Sequence, residues 1–418
     1  MNDTNKNRSK PDRKALVNRR RFIAGAAGAA LSFTIVQPKS VRGTQANSKL
    51  KFGLIGCGGR GTWIAELFQN HGGYEITAAA DYFQDRATAF GDKFNVPADN
   101  RFTTLSGYLR LLEQKLDAVA IESPPYFHPE HAAAAVDAGC HTYLAKPVAV
   151  DVAGCRLIAE TGRNASQKKL CFLVDFQTRA DELYREALKR THQGAIGTFA
   201  FGQASYHADN PWKGQVKYLQ DDPNEPENRL RAWGLNRQLS GDIITEQNIH
   251  TLDVMSWIMD KPPISAVATH GRKVRTLGTC SDHFTALFEY PDGVGITFSS
   301  RQFNGHGTRP KGIRNRMFGS EGVLETEYGG QVLIRGKNFY HGGQTSDIYK
   351  QGAVANIAEF YDSIRKGDFE NPTVAPSASS NLVTILARTA AYKAEKIYWD
   401  RLLTTAEKFT LDLKGLKK

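Results

Sequence analysis

Cysteine is scarce in this chain: five in 418 residues, at Cys57, Cys140, Cys155, Cys171 and Cys280. Their odd number and scatter exclude a disulfide framework, and no Cys-x-x-Cys pair offers a metal or redox site. No apolar run is long enough to read as a stable membrane span. No internal repeat is present, which excludes a solenoid or propeller. A basic surface is missing as well. Residues 1–46 hold ten Lys/Arg and two Asp/Glu, while the remainder holds 44 and 41, so the net charge of +11 belongs mostly to the first segment. A nucleic-acid partner is thereby excluded. What remains is ordinary for a globular protein, with 41% hydrophobic and 23% charged residues. The length exceeds what one core usually organises and predicts two domains.

The first segment has its own pattern. A polar, basic opening leads to Asn18-Arg19-Arg20-Arg21-Phe22-Ile23, followed by a small-residue apolar stretch from Ala24 to about Val36. This resembles a twin-arginine export signal, so residues 1–46 are expected to be a leader and the protein to be periplasmic. Cleavage near Thr44-Gln45-Ala46, or retention of the leader as an anchor, are both compatible with the residues. A chain without disulfides suits a route that exports proteins already folded around a cofactor.

The most informative motif is Gly56-Cys57-Gly58-Gly59-Arg60-Gly61. An apolar strand-like run, Leu50 to Ile55, precedes it, and Thr62 to Phe68 follows with helical spacing. A second strand-like run ends at Asp81, twenty residues beyond Gly61. Strand, glycines, helix, strand and acid at this spacing read as a dinucleotide-binding unit. Gly56 permits the turn, Gly58 the approach of a pyrophosphate, and Gly61 the close packing of helix on strand. Asp81 would accept from ribose hydroxyls and favour NAD, with Arg86 leaving NADP open.

From residue 47 to 174 strands and helices alternate as in a parallel Rossmann sheet, with strands at 116–121, 142–144 and 170–174 and helices at 129–138 and 151–164. From 175 to 418 the pattern predicts a second domain with a mostly antiparallel sheet and helices. Pro291-Asp292-Gly293 reads as its hairpin turn, and helices are expected at 243–259, 354–366 and 381–401. Residues 210–228 read as an irregular loop.

Three clusters carry chemistry. Ser123-Pro124-Pro125-Tyr126-Phe127-His128 ends a buried strand at the carboxyl edge, where open sheets bind ligands; His128 would shape the cofactor pocket or cap the next helix. His128 and His131 lack a third ligand, so no metal is expected. Lys146, at the end of the next strand before Pro147, could hold a substrate hydroxyl and stabilise the alkoxide formed as hydride leaves. On the 243–259 helix, Glu246, His250 and Asp253 share one face, and Glu246 could orient His250 as a general base. Tyr206, His207, Trp212 and Trp233 could wall a sugar site or simply pack.

These clusters together resemble the glucose–fructose oxidoreductase, inositol dehydrogenase and rhizopine-catabolism oxidoreductase family (Gfo/Idh/MocA), from about Leu50 to the C-terminus. The family's Ser/Thr-Pro…His segment is matched at Ser123, Pro124 and His128, and its Glu-Lys-Pro motif at Lys146-Pro147. Its later helix motif is matched at His250 and Asp253, and its Gln/Asn and Arg positions at Gln177 and Arg179. Three positions depart: Ala145 stands where the family carries Glu, and Glu246 and Asn248 where it carries Asp and Gly. The resemblance implies Lys146, His250 and Glu246 as catalytic residues and Lys146, His250, Gln177, Arg179 and Asp253 around the substrate. NAD would lie on Gly56 to Gly61, Asp81, Ser123, Pro124, His128 and Lys146. It also implies an α/β second domain with a large open sheet, a homo-oligomer, dimer or tetramer, and hydride exchange with a sugar, glycoside or cyclitol. The alternatives are a redox-neutral glycoside lyase or hydrolase using the same retained NAD, and a non-catalytic sugar-binding protein.

Overall fold

The computed structural model describes residues 49–303, 312–405 and 408–418. The expected leader, with its export signal and cleavage site, lies outside them. Among the described residues no helix is long and apolar enough to cross a membrane, and no group of three or more His, Cys, Asp or Glu is arranged to hold a metal.

Six parallel strands form the first sheet: β1 (Leu50–Ile55), β2 (Tyr74–Ala80), β3 (Arg101–Phe102), β4 (Ala118–Ile121), β5 (His141–Ala145) and β6 (Phe172–Asp175). Their order is β3-β2-β1-β4-β5-β6, the doubly wound arrangement that opens a crevice between β1 and β4, where the winding reverses. Small and β-branched residues fill the central strands: β4 is Ala-Val-Ala-Ile and wholly buried, as a sheet covered on both faces requires. One cover is the expected set of crossover helices. The other comes partly from the far end of the chain. Helix Ile348–Lys366 packs on helix Gly59–His71, and its Ala353, Ile357 and Phe360 join a core with Phe52, Phe68 and Tyr143.

The second sheet has nine strands. They are β7 (Phe199–Ala208), β8 (Ser265–Gly271), β9 (His283–Glu289), β10 (Gly295–Gln302), β11 (Gly312–Gly319), β12 (Gly322–Glu327), β13 (Gln331–Gly336), β14 (Tyr340–Gln344) and β15 (Ile397–Tyr398). Their order is β14-β13-β12-β11-β7-β10-β9-β8-β15, antiparallel except where β10 runs parallel to β7. The expected hairpin at Pro291–Gly293 is present, with Asp292 and Gly293 both at positive φ.

Three expectations need correction. The predicted 243–259 helix is two helices, Ile243–Glu246 and Ile249–Met259. The last long helix is Val374–Lys393, not 381–401. Pro376 sits in its first turn, where no N–H is needed, so the helix can start ahead of the apolar pattern. Residues 210–228 are not wholly irregular, since they contain helix Val216–Asp221 and the start of Pro226–Arg231.

Candidate functional site

The glycines of the β1 turn divide into two kinds. Gly56 has φ +100°, and a Cβ there would lie 2.6 Å from the Glu122 backbone; a Cβ on Gly61 would lie 1.9 Å from the Gly56 carbonyl oxygen. Packing of the chain against itself therefore demands both. Gly58 is different. Its Cβ would meet nothing nearer than Arg86 Nη1 at 3.9 Å, and that of Gly59 nothing within 4 Å. The space lies at the N-terminus of helix Gly59–His71, whose free N–H groups suit an anion. A dinucleotide pyrophosphate fits this open cradle, which the fold itself leaves unused.

Asp81 follows β2 and is fixed by two donors: Cys57 N–H gives to Oδ2 at 2.8 Å and Phe83 N–H to Oδ1 at 2.9 Å. Cys57 thus acts through its backbone; burial pushes its thiol pKa well up. One cleft is lined by Gly56, Gly58, Gly59, Arg60, Gly61, Asp81, Ser123, Pro124, His128, Lys146 and Glu246. The residues expected to hold the cofactor, Cys57 apart, are thus brought together. His128 is buried, with its ring nitrogens 2.7 and 2.6 Å from the carbonyl oxygens of Pro147 and Ser123. Burial holds its pKa down, to about 4. It ties the ends of β4 and β5 together beside the cis Lys146–Pro147 peptide.

At the other end of the cleft, Lys146 Nζ donates to the Glu246 backbone carbonyl at 2.7 Å and to Oε1 at 3.1 Å. This explains the broken helix. In a continuous helix the Glu246 carbonyl would accept from the N–H of His250, four residues on. Here the His250 N–H donates to Gln247 instead, and the freed carbonyl takes the lysine. Glu246 therefore serves Lys146 and does not orient His250 in this conformation. His250 is 8% exposed, with Nδ1 unpartnered and its ring against Phe176 and Tyr328. Burial, then the charges of Lys146 and Arg60, hold its pKa well below the usual value.

The expected substrate residues Arg179 and Asp253 close on each other. Arg179 Nε and Nη2 grip the fully buried Asp253 carboxylate at 2.8 to 3.1 Å. Gln177 donates to Asp175 and packs on Gly352, whose missing side chain admits it. None of these three, nor His250, is among the residues lining the cleft. Trp212 and Trp233, ring centroids 4.6 Å apart, do line it, but Trp233 clusters with Tyr82, Phe83 and Leu230. That places it beside the Tyr82–Phe83 segment that follows Asp81.

Sequence reasoning included Arg60 with the cofactor turn but missed its partners Glu122, Asp175 and Tyr349. Arg60 turns inward from the glycine turn, with Nε 3.4 Å from Glu122 Oε2, Nη1 donating to the Tyr349 hydroxyl at 2.8 Å, and Nη2 on Asp175. Glu122, next after β4, lies beside Ala145 in register, since Ile121 pairs with Leu144. The carboxylate lacking at Ala145 is thus present one strand over. An acid ending an otherwise apolar buried strand was the signal available.

A family described as "Oxidoreductase family, NAD-binding Rossmann fold" matches residues 50–175, and "GFO/IDH/MocA C-terminal domain" matches residues 184–325. Inositol 2-dehydrogenase 3 of Saccharopolyspora erythraea is 26% identical over 249 residues, 59% of this chain and 65% of that protein. A glycosyl hydrolase family 109 protein of Shewanella sp. (strain W3-18-1) is 30% identical over 169 residues, 39% and 36% of the two chains. The chain thus spans two thirds or less of these relatives. An oxidoreductase domain protein from Kribbella flavida shares the fold with TM-score 0.68 at 19% identity, covering 84% of this chain and 99% of that one. A levoglucosan dehydrogenase solved with NADH and levoglucosan gives 0.66 at 17%, covering 84% and 99%. Two adjoining matches across both sheets, with an NAD-binding Rossmann domain at the front, show that the chain belongs to the Gfo/Idh/MocA oxidoreductase family.

Proposed function

We propose that this chain is an exported NAD-dependent oxidoreductase that removes hydride from a ring carbon of a sugar, glycoside or cyclitol. The observation that carries the reading is the Lys146–Glu246 contact, an ammonium and a carboxylate from two domains meeting at the sheet's carboxyl edge in the cleft of Gly58. Bound there, NAD supplies the hydride acceptor. Lys146 holds the substrate oxygen and stabilises negative charge as it develops. Glu246 fixes the direction of the ammonium. His250, kept neutral, accepts the hydroxyl proton. Asp81 favours NAD because a carboxylate repels a 2′-phosphate.

The named relatives act on a cyclitol or belong to a glycosidase family, which supports a polyhydroxylated ring as substrate. A second reading, redox-neutral cleavage of a glycoside by oxidation, elimination and return of hydride, is favoured by the 30% match to the family 109 protein. It also suits an exported protein, since free nicotinamide cofactor is not expected outside the cytoplasm. A homo-oligomer is supported by Phe201, Leu287 and Val267, 47, 40 and 43% exposed on the strands of the open sheet.

One experiment separates these readings. The absorbance of bound cofactor is followed as single sugars, cyclitols and glycosides are added. Accumulating NADH supports net oxidation, and released aglycone without lasting absorbance change supports the redox-neutral reading. Tight binding with neither across a broad panel would overturn both in favour of a sugar-binding protein.

A further inference from the structure

We infer that Glu122 is the group on which the substrate's hydroxyl proton comes to rest after hydride has left, so that one site stores both; this rests on the function proposed above. Glu122 lines the cofactor cleft together with Arg60, Lys146 and Glu246, yet its side chain is only 1% exposed. Its backbone abuts Gly56, which puts it beneath the cofactor's seat. Oε2 faces Arg60 at 3.4 Å, while Oε1 is buried and has no hydrogen-bond partner. An acceptor stranded in this way is costly, and a proton converts it into a donor.

The neighbours decide which group keeps the proton. Around Glu122 stand Arg60 from the glycine turn, Tyr143 on β5, Lys146 at the end of β5 and Asp175 at the end of β6. Asp175 already accepts from Arg60, Gln177 and Asn356. Glu246 holds Lys146 through Oε1 and its backbone carbonyl, which keeps a cation directly on that carboxylate even though its Oε2 is also unpartnered. His250 takes up a proton poorly, because it is buried and faces the charges of Lys146 and Arg60. Glu122 has the opposite bias: burial first, with Asp175 adding to it against Arg60 and Lys146, raises its pKa to about 7. The imidazole can accept a proton but cannot hold it; the carboxylate can.

The step balances. The alcohol's C–H and O–H bonds break and its C=O forms, with the hydride and its electron pair passing to the cofactor. The proton leaves the hydroxyl and ends on Glu122, whose carboxylate becomes a carboxyl. Loss of the positive charge on the nicotinamide and loss of the negative charge on Glu122 offset each other in a site that disfavours lone charges.

The test is an infrared difference spectrum between the protein saturated with NAD⁺ and with NADH near pH 7, for the wild type and Glu122→Gln. The expected result is a protonated-carboxyl band that appears with NADH in the wild type and is absent from the variant. Titrations give a second measure that needs no variant: the ratio of Kd for NADH to Kd for NAD⁺ should rise with pH by up to about tenfold per unit around neutrality. A pH-independent ratio, or the same carboxyl signal in both redox states, would overturn the assignment while leaving the proposed function intact. Failure to bind either form would overturn both.

Discussion

At the scale of single residues, the site turns on which groups carry charge. Lys146 is held by two oxygens of one residue, and its removal takes away the cation over the developing alkoxide while leaving the glycine turn intact. Lys146→Ala is expected to lower kcat by about 10²–10⁴-fold, the range for acid–base groups, with bound NADH fluorescence retained. Loss of cofactor binding in that variant would show that the lysine mainly holds the dinucleotide. The pH dependence should belong to a carboxylate. His250 titrates well below its ordinary range, so it stays neutral across physiological pH and gives no limb there. Glu122, raised to about 7 by burial, must be ionised to receive a proton. The expected profile of kcat/KM therefore falls as pH drops through about 7, and Glu122→Gln removes that limb. Stability runs the other way. A carboxyl whose folded pKa is raised stabilises the fold fully below its unfolded pKa, and that contribution is lost as pH rises through about 7. Thermal melting of the wild type against Glu122→Gln at pH 5 and pH 8 checks the sign.

At the scale of elements, the glycine turn allows a prediction in which neighbouring positions behave oppositely. Gly58→Ala places a methyl group in space that the described residues do not occupy. It should change stability by less than about 0.5 kcal/mol and weaken NAD binding by about tenfold or more. Gly61→Ala drives a methyl group to 1.9 Å from the Gly56 carbonyl and should cost about 1–3 kcal/mol of stability from the clash alone. Melting curves and NADH titration of the two variants separate fold from ligand. Motifs of this kind were legible in the sequence because their physics is local: a turn, a helix N-terminus and an acid at the next strand's end lie within twenty-six residues. The broken helix at Gln247–Asn248 was not legible, because apolar spacing stays continuous through it. What breaks it is a tertiary competitor, Lys146 a hundred residues earlier, which takes a helical carbonyl. The pairing of Arg179 with Asp253 was not legible for the same reason. Their side chains fit substrate chemistry, and only the packed structure reveals that they satisfy each other.

At the scale of the molecule, the cleft is completed by segments remote from the Rossmann sheet. Residues 408–418 run across the Asp81 side. The Phe409 N–H donates to Asp151, the Lys417 N–H to the Tyr82 hydroxyl, and the Lys417 carbonyl accepts from Leu105. Leu411, Leu413 and Leu416 pack with Phe83, Phe127, Leu230 and Trp233, which themselves line the cleft. The tail thus buttresses one wall without being a cofactor contact. A wall built from residues about 300 positions apart opens only if those contacts separate, so the tail should govern how fast a dinucleotide leaves more than how fast hydride moves. A chain ending at Thr405 is expected to release NADH about tenfold faster or more, equivalent to about 1.4 kcal/mol. Its kcat at saturating cofactor should change less than twofold. Stopped-flow displacement of NADH measures the first quantity and steady-state turnover the second. Unchanged release would mean that the wall holds without its buttress.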